Sequence, residues 1–84
     1  MGEKVLVRVS VPVIRISFDA RIPRVLTCAQ VAAMLKTACQ QIYGDFIPMK
    51  KEPQLWIESQ EKQAPAELTL LDMEIKNGDK LLLI

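Results

Sequence analysis

The sequence predicts an α+β fold in which one helix packs on a mixed sheet of four to five strands. Three observations predict it. The N-terminal part holds two runs of apolar–polar alternation, "KVLVRVSV" and "RISFDARIP", and a period of two marks half-buried strands. A single segment, "LTCAQVAAMLKTACQQIYG", carries apolar residues at helical spacing. The stretch "NGDKLLLI" joins a turn signal to a short apolar run, the pattern of a buried strand. One amphipathic helix needs one apolar sheet face to cover.

Each element follows from its residues. In the first run Val5, Val7, Val9 and Val11 fall on one side and Leu6, Arg8 and Ser10 on the other. Pro12 breaks the alternation and begins a turn. In the second run Ile16, Phe18, Ala20 and Ile22 oppose Arg15, Ser17, Asp19 and Arg21, so the two runs read as a β-hairpin that Pro23 ends. The helix is expected over about 28–43. Thr27, followed three residues later by Gln30, forms a capping box, whose loss costs about 1 kcal/mol. Val31, Leu35, Ala38 and Ile42, joined by Met34, make the apolar stripe, and Gly44 stands where a helix ends in a left-handed turn.

Residues 45–53, "DFIPMKKEP", read as a loop. "QLWIES" is a short third strand with Leu55 and Ile57 on one side and Trp56 on the other. "QEKQAPAE" reads as polar and turn-like. "LTLLDMEI" reads as a short irregular segment anchored by Leu68, by Leu70 or Leu71, and by Ile75, and the whole link from the third strand to the last has room for a minor strand. Asn77 and Gly78 supply the positive φ of a tight turn, and "KLLLI" is the last strand.

Eighty-four residues make one domain, 1–84, large enough for a modest core without metals or disulfides. The net charge of +1 argues against a dedicated nucleic-acid binder. The charge is uneven: residues 1–44 hold six Lys/Arg against two Asp/Glu, and residues 45–84 hold five against eight. No stretch reaches the roughly 20 apolar residues of a membrane span, and "MGEKVLVRVS" has neither a signal-peptide core nor a myristoylation pattern. A cytosolic location is expected. Cys28 and Cys39 lie eleven residues apart on the expected helix. That is roughly 16 Å along its axis, too far for a disulfide.

The stretch Thr69, Leu70, Asp72, Ile75, Asn77, Gly78, Asp79, Leu81 matches "T-L-x-D-x-x-I-x-N-G-D-x-L". With the ββαββ order it resembles the β-grasp of ubiquitin. The opening "KVLVRVSVP", the "DARIP" before the helix and the closing "IKNGDKLLLI" resemble more closely the YukD/EsaB group. These are small bacterial ubiquitin-like proteins associated with type VII (WXG100) secretion in Gram-positive bacteria. The resemblance covers nearly the whole chain and implies a ubiquitin-like β-grasp. Ubiquitin and sulfur-carrier relatives continue past the final strand into a Gly-Gly tail that is activated for conjugation. Here Ile84 follows three leucines at the end of the last strand, and the YukD/EsaB group resembles ubiquitin but likewise ends on its last strand, so a non-conjugated protein is expected. Two alternatives stay open: a β-grasp binding domain of the Ras-association or FERM-head type cut from a larger protein, and a sulfur carrier or modifier lacking its Gly-Gly tail.

Catalytic chemistry is sparse. There is no histidine, the commonest general base, and the three glycines are isolated, so no phosphate loop is built. We expect no enzyme activity, no cofactor and no metal. Cys28 at the helix start would feel the helix dipole, which favours thiolate; a small packing residue is the plainer role.

Strand parity gives a candidate interface. If Val5, Val7, Leu55, Ile57, Leu81 and Leu83 face the helix, then Leu6, Arg8, Trp56, Leu82 and Ile84 face away. A contiguous exposed apolar patch on a small protein marks an interaction site, and Trp and Arg dominate interface energies. Ubiquitin is read through a patch on this same outer face, and the resemblance places Trp56 at its apolar position on strand three. The partners implied are proteins: membrane or ATPase components of a secretion system, or a second copy of the chain. Nucleic acid and direct membrane insertion are not expected. Arg8, Arg15, Arg21 and Arg24 lie on or near the hairpin and read as a solvated basic face.

Overall fold

The computed structural model describes residues 3–44, 48 and 51–84. Strand β1 (Lys4–Val11) runs through a short 3-10 turn (Pro12–Ile14) into β2 (Ile16–Pro23). Helix α1 spans Cys28–Tyr43, then come β3 (Leu55–Ile57), a second 3-10 turn (Glu58–Gln60), β4 (Lys62–Gln63) and β5 (Lys80–Leu83). The expected loop over 45–53 falls largely outside the described residues.

The five strands form one sheet in the order β2-β1-β5-β3-β4. The sheet is mixed: β1 and β5 are parallel, and every other pairing is antiparallel. The hairpin follows the expected parity. Val5, Val7, Val9 and Val11 are buried, while Leu6 and Arg8 face out. Its turn closes with Arg15 in the left-handed conformation, φ 54°.

The N-terminus of α1 shows why the helix begins where it does. A helix leaves its first N–H groups without intrahelical partners. Here the Cys28 N–H donates to Leu68 O at 2.7 Å and the Ala29 N–H to Ala66 O at 3.0 Å. The Gln30 N–H donates to Thr27 Oγ1 at 3.1 Å, and the Thr27 N–H donates to Gln30 Oε1 at 2.9 Å. The capping box therefore forms as read, and it has help from the chain after β4. At the other end Gly44 adopts φ 97° and its N–H reaches Gln40 O.

The helix face differs from expectation. Val31 and Leu35 are buried, but so are Cys28, Ala32 and Cys39, whereas Met34 is 40% and Ile42 70% exposed. The stripe that packs on the sheet is set by where the sheet lies, and small residues let the helix approach it closely. Ile42 continues the period beyond the covered length.

The link between β4 and β5 is built from turns. Thr69 and Asp72 cap each other: the Thr69 N–H donates to Asp72 Oδ2 and the Asp72 N–H to Thr69 Oγ1, both at 3.0 Å. This turn aims Leu70, not Leu71, into the core and adds Met73 and Ile75. Asn77 Oδ1 accepts the Leu6 N–H at 2.9 Å, and Gly78, at φ 89°, donates to Leu6 O. Asp79 Oδ2 accepts the Lys76 N–H. Within the threonine-to-leucine motif, Thr69 and Asp72 shape the turn, Leu70 and Ile75 fill the core, and Asn77, Gly78 and Asp79 bond to β1 and so place β5 beside it. The stretch read as turn-like at 60–67 holds the two-residue β4; its polar residues carry no alternation, and only pairing with β3 makes it a strand.

Candidate protein-binding face

The outer face of the sheet is organised in rows across the strands. Trp56 on β3 stands opposite Leu82 on β5 and opposite Gln63 on β4. Leu82 lies beside Ser10 on β1, which pairs with Ser17 on β2. Trp56 and Leu82 are both half-buried, and directly opposed side chains sit about 4.5–5.5 Å apart at Cβ. Ile84, 43% exposed, extends the cluster by one step: its N–H donates to Gln54 O at 2.9 Å, and its carbonyl accepts the Gln54 N–H at 2.7 Å. Burial of the alternate residues Leu55, Ile57, Leu81 and Leu83 is what turns these three side chains outward.

The expected five-residue patch is not continuous. The parallel register sets Arg8 beside Lys80 and Ser10 beside Leu82. Leu6, 38% exposed, therefore lies beside the Asn77–Gly78 turn, four residues from the Leu82 row along β1. At about 3.3 Å per residue this is roughly 13 Å. Arg8 and Lys80 fill the space between, and the Arg8 guanidinium is bound to Asp19 at 3.1 Å. The face thus has an apolar end of Trp56, Leu82 and Ile84, a charged middle, and an isolated Leu6. Ser10, Gln54 and Gln63 border the apolar end and were not legible as site residues, because the register between distant strands is not written in local alternation.

Comparison with solved structures bears on this arrangement. The chain is similar to the ubiquitin-like domain of the Arabidopsis thaliana protein At2g32350, with a TM-score of 0.68 and 14% identity over 98% of this chain and 77% of that one. It is similar to the ubiquitin of Caldiarchaeum subterraneum, with a TM-score of 0.66 and 14% identity over 96% and 91%. A chain described under "Molecular Mimicry of SUMO promotes DNA repair" gives 0.69 and 13% over 100% and 94%. The fold is a ubiquitin-like β-grasp. At these identities the likeness is one of fold. No protein-family model matches the sequence, and no curated protein does.

On this β-grasp the remaining candidate groups are placed as follows. Both cysteines are free and lie on the buried face of α1. Burial raises the Cys28 thiol above its ordinary value of 9.0, with Asp72 and Glu67 adding to the rise, and burial raises Cys39 likewise. The thiolate that a helix start favours is thus outweighed at Cys28. Of the hairpin arginines, Arg8 is held by Asp19, and Arg24 lies 3.8 Å from Glu3. Among the described residues no helix is long and apolar enough to cross a membrane.

Proposed function

We propose that this chain is a non-conjugated ubiquitin-like protein that works by protein–protein contact, without catalysis or cofactor, in the cytosol. Its contact residues are Trp56, Leu82 and Ile84, with Arg8 at the margin and Leu6 apart from them. The partners are cytosolic domains of the membrane or ATPase components of a Gram-positive type VII (WXG100) secretion system, for which this chain is an accessory component. The observation that carries the binding reading is the half-buried Trp56 set against Leu82 on a face that the helix does not cover. Tryptophan is among the residues that dominate interface energy, and an apolar row bordered by Ser10, Gln54 and Gln63 has the anatomy of an interface core with a polar rim. The resemblance of "DARIP" and "IKNGDKLLLI" to the YukD/EsaB group supports the pathway.

The test is a pull-down from the native host with wild type, Trp56→Ala and Leu82→Ser side by side, each checked for folding by circular dichroism. Recovery of secretion ATPase or channel domains by wild type alone is expected. Equal recovery by all three sinks the binding face. Intact-mass measurement of the endogenous protein checks the other half: a covalent adduct or a diglycine extension overturns the non-conjugated reading.

A further inference from the structure

The sheet has two edges. The β4 edge is two residues long, but β2 is eight residues long and no described strand covers its outer side. Its hydrogen-bonding direction follows from the hairpin register. The Arg24 N–H donates to Glu3 O, one step beyond the Lys4–Pro23 pair. Bonded and non-bonded pairs alternate along an antiparallel ladder. Ile16, Phe18, Ala20 and Ile22 therefore turn their backbone groups to β1, and Ser17, Asp19 and Arg21 turn theirs outward. Pro23, which has no N–H, occupies an outward position. The same alternation sends the backbone groups of Leu6 and Arg8 toward the chain leading into β5, where they are bonded.

This edge is self-complementary. In an antiparallel pair of β2 strands with its two-fold axis at Ala20, Asp19 stands opposite Arg21 of the other copy, and Arg21 opposite its Asp19. Opposite charges face each other in both contacts, and each such pair exchanges two backbone hydrogen bonds. An axis at Asp19 sets two carboxylates against each other, and one at Phe18 sets Arg15 against Arg21. On the inner face the small Ala20 meets Ala20, and Phe18 meets Ile22. Phe18, Ile16 and Ala20 are only partly buried in the single chain. Helical spacing sets Met34, 40% exposed, opposite Lys36 and Gln40, which line the groove beside β3, and so toward β2. Long uncovered edges invite pairing, and a two-fold contact uses the same patch on both copies.

We propose that the occupant of the β2 edge is a second copy of this chain, paired β2 to β2 about Ala20 in one continuous sheet. The proposal goes beyond the function above and does not depend on it, because Trp56 lies on β3, three strands away from β2 across the sheet.

Sedimentation equilibrium over a concentration series tests it. Wild type is expected at twice the chain mass of 9.5 kDa. Asp19→Arg and Arg21→Asp, each shown folded by circular dichroism, are expected at the single-chain mass, weakened about tenfold or more. Mixed in equal amounts, the two variants regain the doubled mass, because each 19–21 contact again joins opposite charges. A wild type that stays monomeric at millimolar concentration overturns the proposal. So does a dimer that survives both reversals, a mixture that stays monomeric, or a dimer abolished by Trp56→Ala instead.

Discussion

Leu81, Leu82 and Leu83 are one residue type in one strand, yet the two faces of the sheet use them differently. Leu81 and Leu83 have no exposed surface, and Leu82 between them is half-buried beside Trp56. On the helix side, burial is complete and the side chains hold the fold together. On the other side, the same chemistry is left as a surface. The difference arises because α1, together with Leu70, Met73 and Ile75 of the link before β5, covers only one face of the sheet.

The largest break in this comparison is Leu81→Ala. Removing a fully buried leucine costs about 2–5 kcal/mol, and chemical denaturation is expected to show it. Leu82→Ala should cost only about 1 kcal/mol, since much of its surface is already wet, while impairing partner recovery. Equal costs at the two positions would mean that the outer face is covered.

The helix side is also sensitive to pH through its thiols. Cys28 and Cys39 have folded values raised above the ordinary 9.0. The unfolded chain therefore loses these protons first as pH rises. Their contribution is intact below pH 9.0 and is lost progressively as pH climbs from there through the folded values. Denaturation midpoints measured on either side of pH 9.0 are expected to fall at the higher pH, and to fall less in a Cys28→Ala, Cys39→Ala double variant. The smallest effect belongs to the charged middle of the outer face. Arg8 and Asp19 are more than half exposed, so Arg8→Ala should cost at most about 0.5 kcal/mol, shrinking with added salt.

Much of the fold was legible because the elements carry their own periods. The valines of β1 alternate without interruption, and Thr27 and Gln30 mark the helix start to the residue. What failed to show did so for physical reasons. Cys28, Ala32 and Cys39 give a weak apolar signal, yet the tight approach of helix to sheet makes them core. Ile42 gives a strong signal but extends past the covered length. For the candidate site, parity told which side chains point outward, but not how far apart they lie. That distance depends on the Arg8–Lys80 register, which Asn77, Gly78 and Asp79 set through bonds to β1 rather than through any pattern within the strands.

The parallel seam between β1 and β5 also governs how the protein is made. The Leu6–Asn77 hydrogen bond joins residues separated by 71 positions, and the strand from Lys80 lies between β1 and β3. A nascent chain that has not yet emerged past residue 80 has a hairpin and a helix but no central plank to join them. Such long-range closure is slow, and until it happens the valines of β1 lack their β5 neighbour.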